Sequence, residues 1–518
     1  MSYINTELVG NSVFVWERNG DDRVLQTYDA PWTMYVQSNK GERDTLHGDK
    51  ATKFEFADRF ELKNAVSYAR SRGKKTYESD LAPDLKILSE HYYQAPPPNL
   101  HVTYLDIEVD YDPDVGFSSI DNPYAPVNAC AFYQDWNKKS IVVAVPPESW
   151  GKNPKKWEEM LDQSLRGLAT IEFYSNEVDL LNRMVEIMEE ADALCGWNSS
   201  FFDFPYITKR VERVLGKRGM RRLGFPGASL PKFREIEIMG RINQTVNWGG
   251  RVLLDYLDLF KKFEMTNRPS YSLENISNEI LPDLPKLEYE GTLAELYNKD
   301  FNHFLRYNIR DTECLKGFED ELGYVALANE MVHNSTGRFR DVLGTIKLAE
   351  MSIVNYCHYV RNVVVPDCPD VDDTGSDEQA EGAYVLEPKA GLQELIGSVD
   401  INSLYPSAIR SINISPETLI GQFTTEVQAF EEIRKRSSMN LTLVFEDQTY
   451  TTMPASHWRQ FLLESGWAVS GFGTVYNQAV PGVIPQILTE WFATRKEYQA
   501  KKKAAEAQRK ALVAKYKV

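Results

Sequence analysis

The stretch YLDIEV, residues 104–109, combines a buried-strand pattern with two acids. Successive side chains of a strand point to opposite faces, so Asp106 and Glu108 share one face, and Leu105 and Ile107 share the other. Two carboxylates directed together from an apolar strand repel each other unless a cation joins them. Taken alone, the pair would favour a strand end that reaches solvent.

Two downstream segments favour a metal site over that reading. The segment GWNSSFFDFPY, residues 196–206, places Asp203 among aromatic and small residues, and the segment YNIRD, residues 307–311, places Tyr307 and Asp311 at i and i+4. Residues at this spacing are neighbours on one helical face. Each segment alone has a structural interpretation, since Asp203 could cap a helix before Pro205, and Tyr307 and Asp311 could be an ordinary helix pair.

In this order and spacing, the three segments resemble the D-x-E, N-x(3–4)-F-D and Y-x(3)-D motifs of DnaQ-like 3′→5′ exonucleases. The resemblance implies that two Mg²⁺ ions, or Mn²⁺ in their place, are held by Asp106, Glu108, Asp203 and Asp311. Hard oxygen ligands of this kind suit Mg²⁺, and paired ions can act on one phosphodiester. The resemblance further implies that Tyr307 orients the attacking water, and it assigns DNA contacts to Asn198 and Phe202.

A fourth segment, DINSLYPS at residues 400–407, resembles the first catalytic motif of B-family DNA polymerases. Residues 254–263 and 269–273 look most like the replicative polymerases of tailed bacteriophages in that family. The residues before DINSLYPS, Glu394–Val399, predict a buried strand that leads into Asp400. The resemblance implies Mg²⁺ binding by Asp400 and the Ile401 carbonyl. It also implies that a triphosphate is bound by Ser403, Leu404, Tyr405 and Arg495, and that the Tyr405 ring excludes a ribose 2′-OH. Template contacts are assigned by the same resemblance to Gly382 and Tyr384.

Bulk composition is that of a folded protein with several cores. The chain has 518 residues, a hydrophobic fraction of 42% and five cysteines without a C-x-x-C pair. Such cysteines argue against a zinc site or a disulfide framework and fit a reducing cytoplasm. No apolar run is long enough to predict a membrane span. The net charge of −17 counts against nucleic-acid binding, but basic residues concentrate after Thr489, and a local basic surface is what DNA requires.

The predicted fold class is a mixture of α/β and α+β domains. We expect an N-terminal domain at 1–98, with 324–372 packing back on it, and an RNase H-like exonuclease domain at 99–323. A partial palm at 373–481 and the start of the first fingers helix at 482–518 would follow. Within this plan, residues 177–190 predict an amphipathic helix, residues 234–248 a hairpin, and residues 366–381 an acidic linker.

The motifs predict an intact proofreading exonuclease and an incomplete polymerase, because the second carboxylate segment, the second fingers helix and the thumb of the family have no counterpart here. The favoured hypothesis is the N-terminal subunit of a split DNA polymerase, or a fragment of one, in the cytoplasm of a host cell. Its partners would be DNA, deoxynucleoside triphosphates and a second polypeptide, with no membrane. Two alternatives stay open, namely a self-sufficient 3′→5′ exonuclease and a non-enzymatic DNA-binding remnant.

Overall fold

The computed structural model describes residues 2–111, 115–116, 118–238, 241–368, 386–401, 403–424 and 427–516. The chain divides into two compact units, and several segments contribute to each. The first unit contains Met1–Trp32, Phe56–Arg59 and Leu81–Ser352, and the second contains Thr33–Glu55, Phe60–Asp80 and Ile353–Val518. Segments of the first 98 residues therefore occur in both units. The four functional domain boundaries proposed from the sequence stay predictions.

The first unit is built on two sheets. Strands β1 (Ser2–Val9), β2 (Ser12–Asn19) and β3 (Asp22–Asp29) form an antiparallel sheet in that order. The larger sheet has six strands, which are β8 (Val102–Val109), β9 (Val127–Gln134), β10 (Lys139–Ala144), β11 (Thr170–Phe173), β12 (Ala193–Gly196) and β15 (Val252–Asp255). Their spatial order is β11-β10-β9-β8-β12-β15, with β9 antiparallel to both neighbours and the other pairs parallel. Strand β8 is therefore central and covered on both faces.

Helices pack against both faces of this sheet. The helices of the first unit are α2 (Pro83–Tyr92), α3 (Pro154–Met160), α4 (Gln163–Arg166), α5 (Glu177–Glu190), α6 (Asp203–Leu223), α7 (Tyr256–Phe263), α8 (Leu273–Ile280), α9 (Leu293–Lys299), α10 (Phe301–Leu322) and α11 (Tyr324–Ser335). Leu105 and Ile107 share one core with side chains of α5 and α6. Ala129 and Ala131 share the opposite core with side chains of α10. The sheet thus separates an apolar layer from the face that carries Asp106 and Glu108.

Two local predictions for this unit are confirmed. Helix α5 covers the residues expected from its apolar spacing, and Asn176 caps its first turn by accepting a hydrogen bond from the Asp179 N–H. The predicted hairpin is formed by β13 (Lys232–Ile238) and β14 (Arg241–Asn247), which pair antiparallel. Short turns at Glu148–Trp150 and Phe339–Asp341 complete the unit, and α12 (Ile346–Tyr356) contains the division at Ser352.

The second unit contains two five-stranded sheets. Strands β4 (Thr33–Gln37), β5 (Arg43–Thr45), β6 (Lys50–Glu55), β7 (Thr76–Tyr77) and β16 (Val363–Val364) have the order β16-β5-β6-β4-β7, and α1 (Arg59–Ser71) lies between β6 and β7 in the chain. Strands β17 (Leu419–Phe423), β18 (Asn440–Phe445), β19 (Tyr450–Pro454), β20 (Trp467–Val469) and β21 (Thr474–Asn477) have the order β19-β18-β17-β21-β20. A core around the buried Trp458 joins this second sheet to α14 (Val427–Lys435) and α15 (Ala455–Ser465).

Helices α13 (Leu404–Ser411) and α16 (Val483–Tyr516) complete the second unit, together with a π-helical turn at Cys357–Arg361 and a 3-10 turn at Pro416–Thr418. The apolar start of α16 is anchored, since Val483 and Ile487 are buried in one cluster with Cys357. From Thr494 to Tyr516 its side chains are exposed. The helix predicted from residue 482 onward is therefore present, with packing only near its first turns.

One structural prediction is wrong. Residues Glu394–Val399 form no strand, and Leu395, Ile396 and Val399 are exposed. The pattern of apolar residues is typical of a strand, but a strand is stabilised by its cross-strand neighbours. No strand of the described residues pairs with this segment. The mixed α/β, multidomain class that the sequence predicted is nevertheless confirmed.

Candidate nuclease and polymerase sites

Strand β8 presents the first two predicted ligands. Asp106 and Glu108 lie opposite Ala131 and Ala129 of β9, whose small side chains leave space above this part of the sheet. Glu108 is buried and Asp106 is half-buried. The alternation expected from the sequence thus holds, and both carboxylates point away from the core that contains Leu105 and Ile107.

Helix α10 occupies the space above these strands and supplies the third acid. The helix begins after Asp300, whose side chain accepts a hydrogen bond from the His303 N–H, and its side chains Phe301, Phe304 and Leu305 pack on the sheet. This packing turns Asp311 toward β8. Ligand oxygens of Asp106, Glu108 and Asp311 all lie within 4.8 Å of one another, a separation that a divalent cation could bridge.

Asp203 approaches the same strand from the other direction. It is the first residue of α6, and its Oδ1 accepts a hydrogen bond from the Ile107 N–H at 3.3 Å. The carboxyl group therefore lies against the backbone between Asp106 and Glu108. The structure brings the four acids predicted from three distant segments to one strand.

The loop before Asp203 is held by a residue that the sequence did not reveal. Asp255, at the end of β15, accepts hydrogen bonds from the N–H groups of Asn198 and Ser200, each at 2.9 Å, and from Leu257 at 3.0 Å. Asn198 has a positive φ of 59° and is exposed, and Phe202 stacks on Tyr206 with ring centroids 5.3 Å apart. The two predicted DNA contacts therefore lie on the loop that leads into α6.

Burial raises the pKa of every acid in this group, and neighbouring carboxylates raise it further for Asp106, Glu108 and Asp203. Burial is the largest cause throughout; it raises the pKa of Glu108 to about 8 and that of Asp203 to about 7. The pKa of Asp106 is also raised, by burial and then by Asp311, Glu108 and Asp203. Burial raises the pKa of Asp311, although Lys286 opposes the shift. Carboxylates in such a group are more stable when they bind protons or cations than when all of them are ionised and unpaired.

Lys286 is a second residue that sequence reasoning missed. Its Nζ lies 2.8 Å from Asp311 Oδ2 and 4.7 Å from the centre of the Tyr307 ring. Tyr289 packs edge-on against the same ring at 5.1 Å. Lys286 precedes α9 in a segment with no helical or strand periodicity, so only the folded structure places it here. Tyr307 is consequently fixed between a cation and an aromatic ring.

The acids fit a divalent cation. Oδ1 of Asp311 is buried and accepts no hydrogen bond from the described residues, whereas Oδ2 is paired with Lys286. A buried carboxylate oxygen without a donor is costly unless a cation satisfies it. The set consists only of oxygen ligands, which Mg²⁺ and Mn²⁺ prefer.

The predicted polymerase residues are only partly assembled. Arg495 of α16 donates through Nη1 to Oγ of Ser403 at 3.3 Å, so these two predicted triphosphate contacts meet. Ser403 has a left-handed φ of 55° and precedes α13, whose first residues Leu404 and Tyr405 are exposed. The first N–H groups of a helix have no intrahelical partner, and such a helix start suits an anion.

The predicted metal ligands of this second site remain isolated. Asp400 and Ile401 are exposed, and no group of three metal-ligating side chains forms around them in the described parts of the chain. The expected template contacts Gly382 and Tyr384, and most of the predicted linker, lie outside the described residues. Three of the predicted exonuclease acids thus lie together with Asp203 bound to the same strand, while at the second site only the predicted triphosphate contacts Ser403 and Arg495 meet.

Comparison with known proteins gives a consistent assignment. The family model for the exonuclease domain of DNA polymerase family B matches residues 56–276, and the model for DNA polymerase family B matches residues 349–517. The DNA-directed DNA polymerase of Enterobacteria phage T4 is 30% identical over 341 residues, which are 65% of this chain and 34% of that protein. The corresponding enzyme of Escherichia phage RB69 is 26% identical over 527 residues, covering 97% of this chain and 54% of that protein. DNA polymerase 1 of Pyrococcus abyssi is 28% identical over 308 residues, or 55% of this chain and 36% of that protein.

The two matched segments are an exonuclease domain and a polymerase segment of one family. The chain belongs to DNA polymerase family B. It spans about a third to a half of the length of these relatives. Among the helices of the described residues, none is both long and apolar enough to cross a membrane.

Proposed function

We propose that this chain is a 3′→5′ exodeoxyribonuclease that removes nucleotides from DNA ends with Mg²⁺, or with Mn²⁺ in its place. The observation that carries the proposal is the group formed by Asp106, Glu108 and Asp311, whose ligand oxygens lie within 4.8 Å of one another, with Asp203 bound to the intervening backbone. The exonuclease-domain match, residues 56–276, covers the segments at 104–109 and 196–206 and ends before the third segment at 307–311.

The four acids would hold two divalent ions, which would neutralise phosphate charge and acidify the attacking water. The residues of the chain supply the geometry. Tyr307, fixed between Lys286 and Tyr289, is positioned to orient a water through its hydroxyl group. Asn198 and Phe202 lie on the loop before Asp203 and would guide the 3′ end toward the acids.

We further propose that the second site takes part in templated synthesis. Asp400 and the Ile401 carbonyl would bind Mg²⁺, and Ser403, Leu404, Tyr405 and Arg495 would bind a deoxynucleoside triphosphate. The contact between Ser403 and Arg495 supports the triphosphate assignment. Because no group of three metal-ligating side chains includes Asp400 among the described residues, synthesis is proposed only together with the remaining palm, the second fingers helix and the thumb of the family.

A second polypeptide that carries those parts stays a prediction. Both matched segments, for the exonuclease domain and for the polymerase, occur in this one chain. The same observation makes the alternatives, a self-sufficient exonuclease or a non-enzymatic DNA-binding remnant, less favoured than a polymerase with an exonuclease domain.

The test is degradation of a 3′-labelled single-stranded oligodeoxynucleotide by the purified chain. Wild type should shorten it from the 3′ end in Mg²⁺ and leave it intact in EDTA. Asp203→Ala should lose about 10²-fold or more in rate, because a missing ligand misplaces the reacting groups. Glu212→Gln, which alters an exposed acid on the same helix, is the matched control and should keep the wild-type rate.

Equal rates for wild type and Asp203→Ala would refute the assignment of the site. Shortening from the 5′ end would refute the assignment of polarity. Circular dichroism of both variants distinguishes loss of chemistry from loss of fold.

A further inference from the structure

Asn308 lies inside the nuclease group without belonging to the predicted ligand set. It follows Tyr307 on α10, and its exposed fraction is 0%. Its amide nitrogen Nδ2 lies 2.9 Å from Asp106 Oδ2 and 3.2 Å from the Asp106 backbone oxygen. One side chain on the helix is therefore hydrogen-bonded to both the carboxylate and the backbone of a residue on the central strand.

These contacts fix which way the Asn308 amide points. Both Asp106 atoms are acceptors, so the group that faces them must be the NH₂ end of the amide. The other end, Oδ1, is buried and has no hydrogen-bond partner among the described residues. An unsatisfied buried carbonyl destabilises a fold. Asn308 is thus a poor choice for packing alone, and its favourable interactions are all with Asp106.

The donor also has the right charge for this position. Asp106 lies close to Glu108 and Asp311, and Lys286 already supplies one positive charge to Asp311. A second lysine would compete with a divalent cation for the carboxylates, whereas an amide orients a carboxylate without neutralising it. Hydrogen-bond partners of metal ligands generally orient those ligands and affect metal affinity.

We propose that Asn308 is a positioning residue that holds Asp106 in the orientation required for divalent-metal binding, and that it fixes the spacing between β8 and α10 at this point. This inference rests on the proposed metal-dependent nuclease function. It predicts that loss of the Asn308 amide weakens metal binding through Asp106.

The decisive variant is Asn308→Leu, which has nearly the same volume. It removes the unsatisfied Oδ1 but also leaves two Asp106 oxygens without this donor, so the two effects on the thermal midpoint of the metal-free chain oppose each other. It also removes the donor to Asp106, so the dissociation constant for Mn²⁺ should rise about 10- to 100-fold. A residue with a purely structural role would lose stability and leave the metal affinity unchanged.

The experiment is titration of the full chain with Mn²⁺ by isothermal calorimetry, with thermal unfolding in EDTA in parallel. Thr312→Val is the matched control, because Thr312 is buried on the same helix and its hydroxyl donates only to the Ile309 carbonyl, at 2.8 Å. Its Mn²⁺ affinity should equal that of wild type. Asn308→Ala provides a second variant of smaller volume, for which the same loss of affinity is expected.

The outcomes separate this inference from the function on which it rests. If wild type binds Mn²⁺ and both Asn308 variants bind it equally well, Asn308 does not position Asp106. If wild type binds no Mn²⁺ at all, the metal-dependent function itself is refuted and this inference with it. Weaker binding by both Asn308 variants, with wild-type affinity for Thr312→Val, supports the inference.

Discussion

The pairing of Lys286 with Asp311 gives the sharpest test of the electrostatics of the nuclease group. The two side chains are 20% and 5% exposed, and their charged atoms are 2.8 Å apart. Burial lowers the pKa of Lys286, but Asp311 and Tyr307 raise it more, so the amine is charged. Lys286→Met keeps most of the side-chain volume and removes only the charge.

Removing one partner of a buried ion pair costs about 3–5 kcal/mol, because the other charge stays buried without compensation. For Lys286→Met without metal at pH 8, we expect the free energy of unfolding to fall by about 3 kcal/mol, near the lower end of this range. Neighbouring carboxyl groups with raised pKa can take up protons and so replace part of the lost positive charge. At pH 6 the loss should be smaller. Below its pKa of about 8 Glu108 is protonated, and it then no longer repels Asp311.

The assay is urea unfolding followed by hydrogen exchange of amides in β8 and α10, in EDTA and in MgCl₂. Bound Mg²⁺ should at least halve the destabilisation, because it replaces the lost positive charge. Lys299→Met is the matched control; Lys299 pairs with Glu295 at 3.0 Å, but its side chain is 73% exposed. Its loss should stay below about 1 kcal/mol. Equal losses for the two variants, or no effect of Mg²⁺ on Lys286→Met, would refute this reasoning.

Three further predictions concern other parts of the chain. Burial, followed by Asp258, raises the pKa of Asp255 to about 7, so this group favours the fold at low pH and loses that contribution as pH rises toward 7. Asp255→Asn should therefore flatten the fall in unfolding free energy between pH 5 and 7, by up to about 1.4 kcal/mol per pH unit, in parallel urea series. Trp458→Ala should destabilise the second unit by about 3–5 kcal/mol in urea unfolding, because the buried ring packs 5.1 Å from Phe423. In an enzyme completed with the remaining polymerase parts, Tyr405→Ala should raise ribonucleotide incorporation, measured as alkali-sensitive sites, while nuclease activity stays.

Sequence reasoning succeeded where the chemistry follows from local periodicity. The face shared by Asp106 and Glu108 needs only the alternation of a strand, and the pairing of Tyr307 with Asp311 needs only the pitch of a helix. Asn308 could have been found in the same way, because it lies three residues before Asp311 on that helix.

The features that sequence reasoning missed depend on contacts between segments that are distant in the chain. Lys286 reaches Asp311 from a segment without periodicity, and Asp255 fixes the loop at Asn198 from a different strand. The strand predicted at Glu394–Val399 failed for the same reason. Alternating apolar residues indicate that a segment can form a β-strand. Whether it does so depends on a neighbouring strand to pair with, which the local sequence does not reveal.

That exposed segment has a practical consequence for the chain in solution. Leu392, Leu395, Ile396 and Val399 are exposed on a stretch that pairs with no strand of the described residues, and Glu394 is the one charged residue of the sequence between 391 and 399. Short apolar stretches of this type, with unpaired N–H and C=O groups, promote aggregation between copies. The solubility of the purified chain should therefore be limited by these few residues rather than by its two cores, and a charged residue introduced at Ile396 is the substitution of choice for concentrated samples.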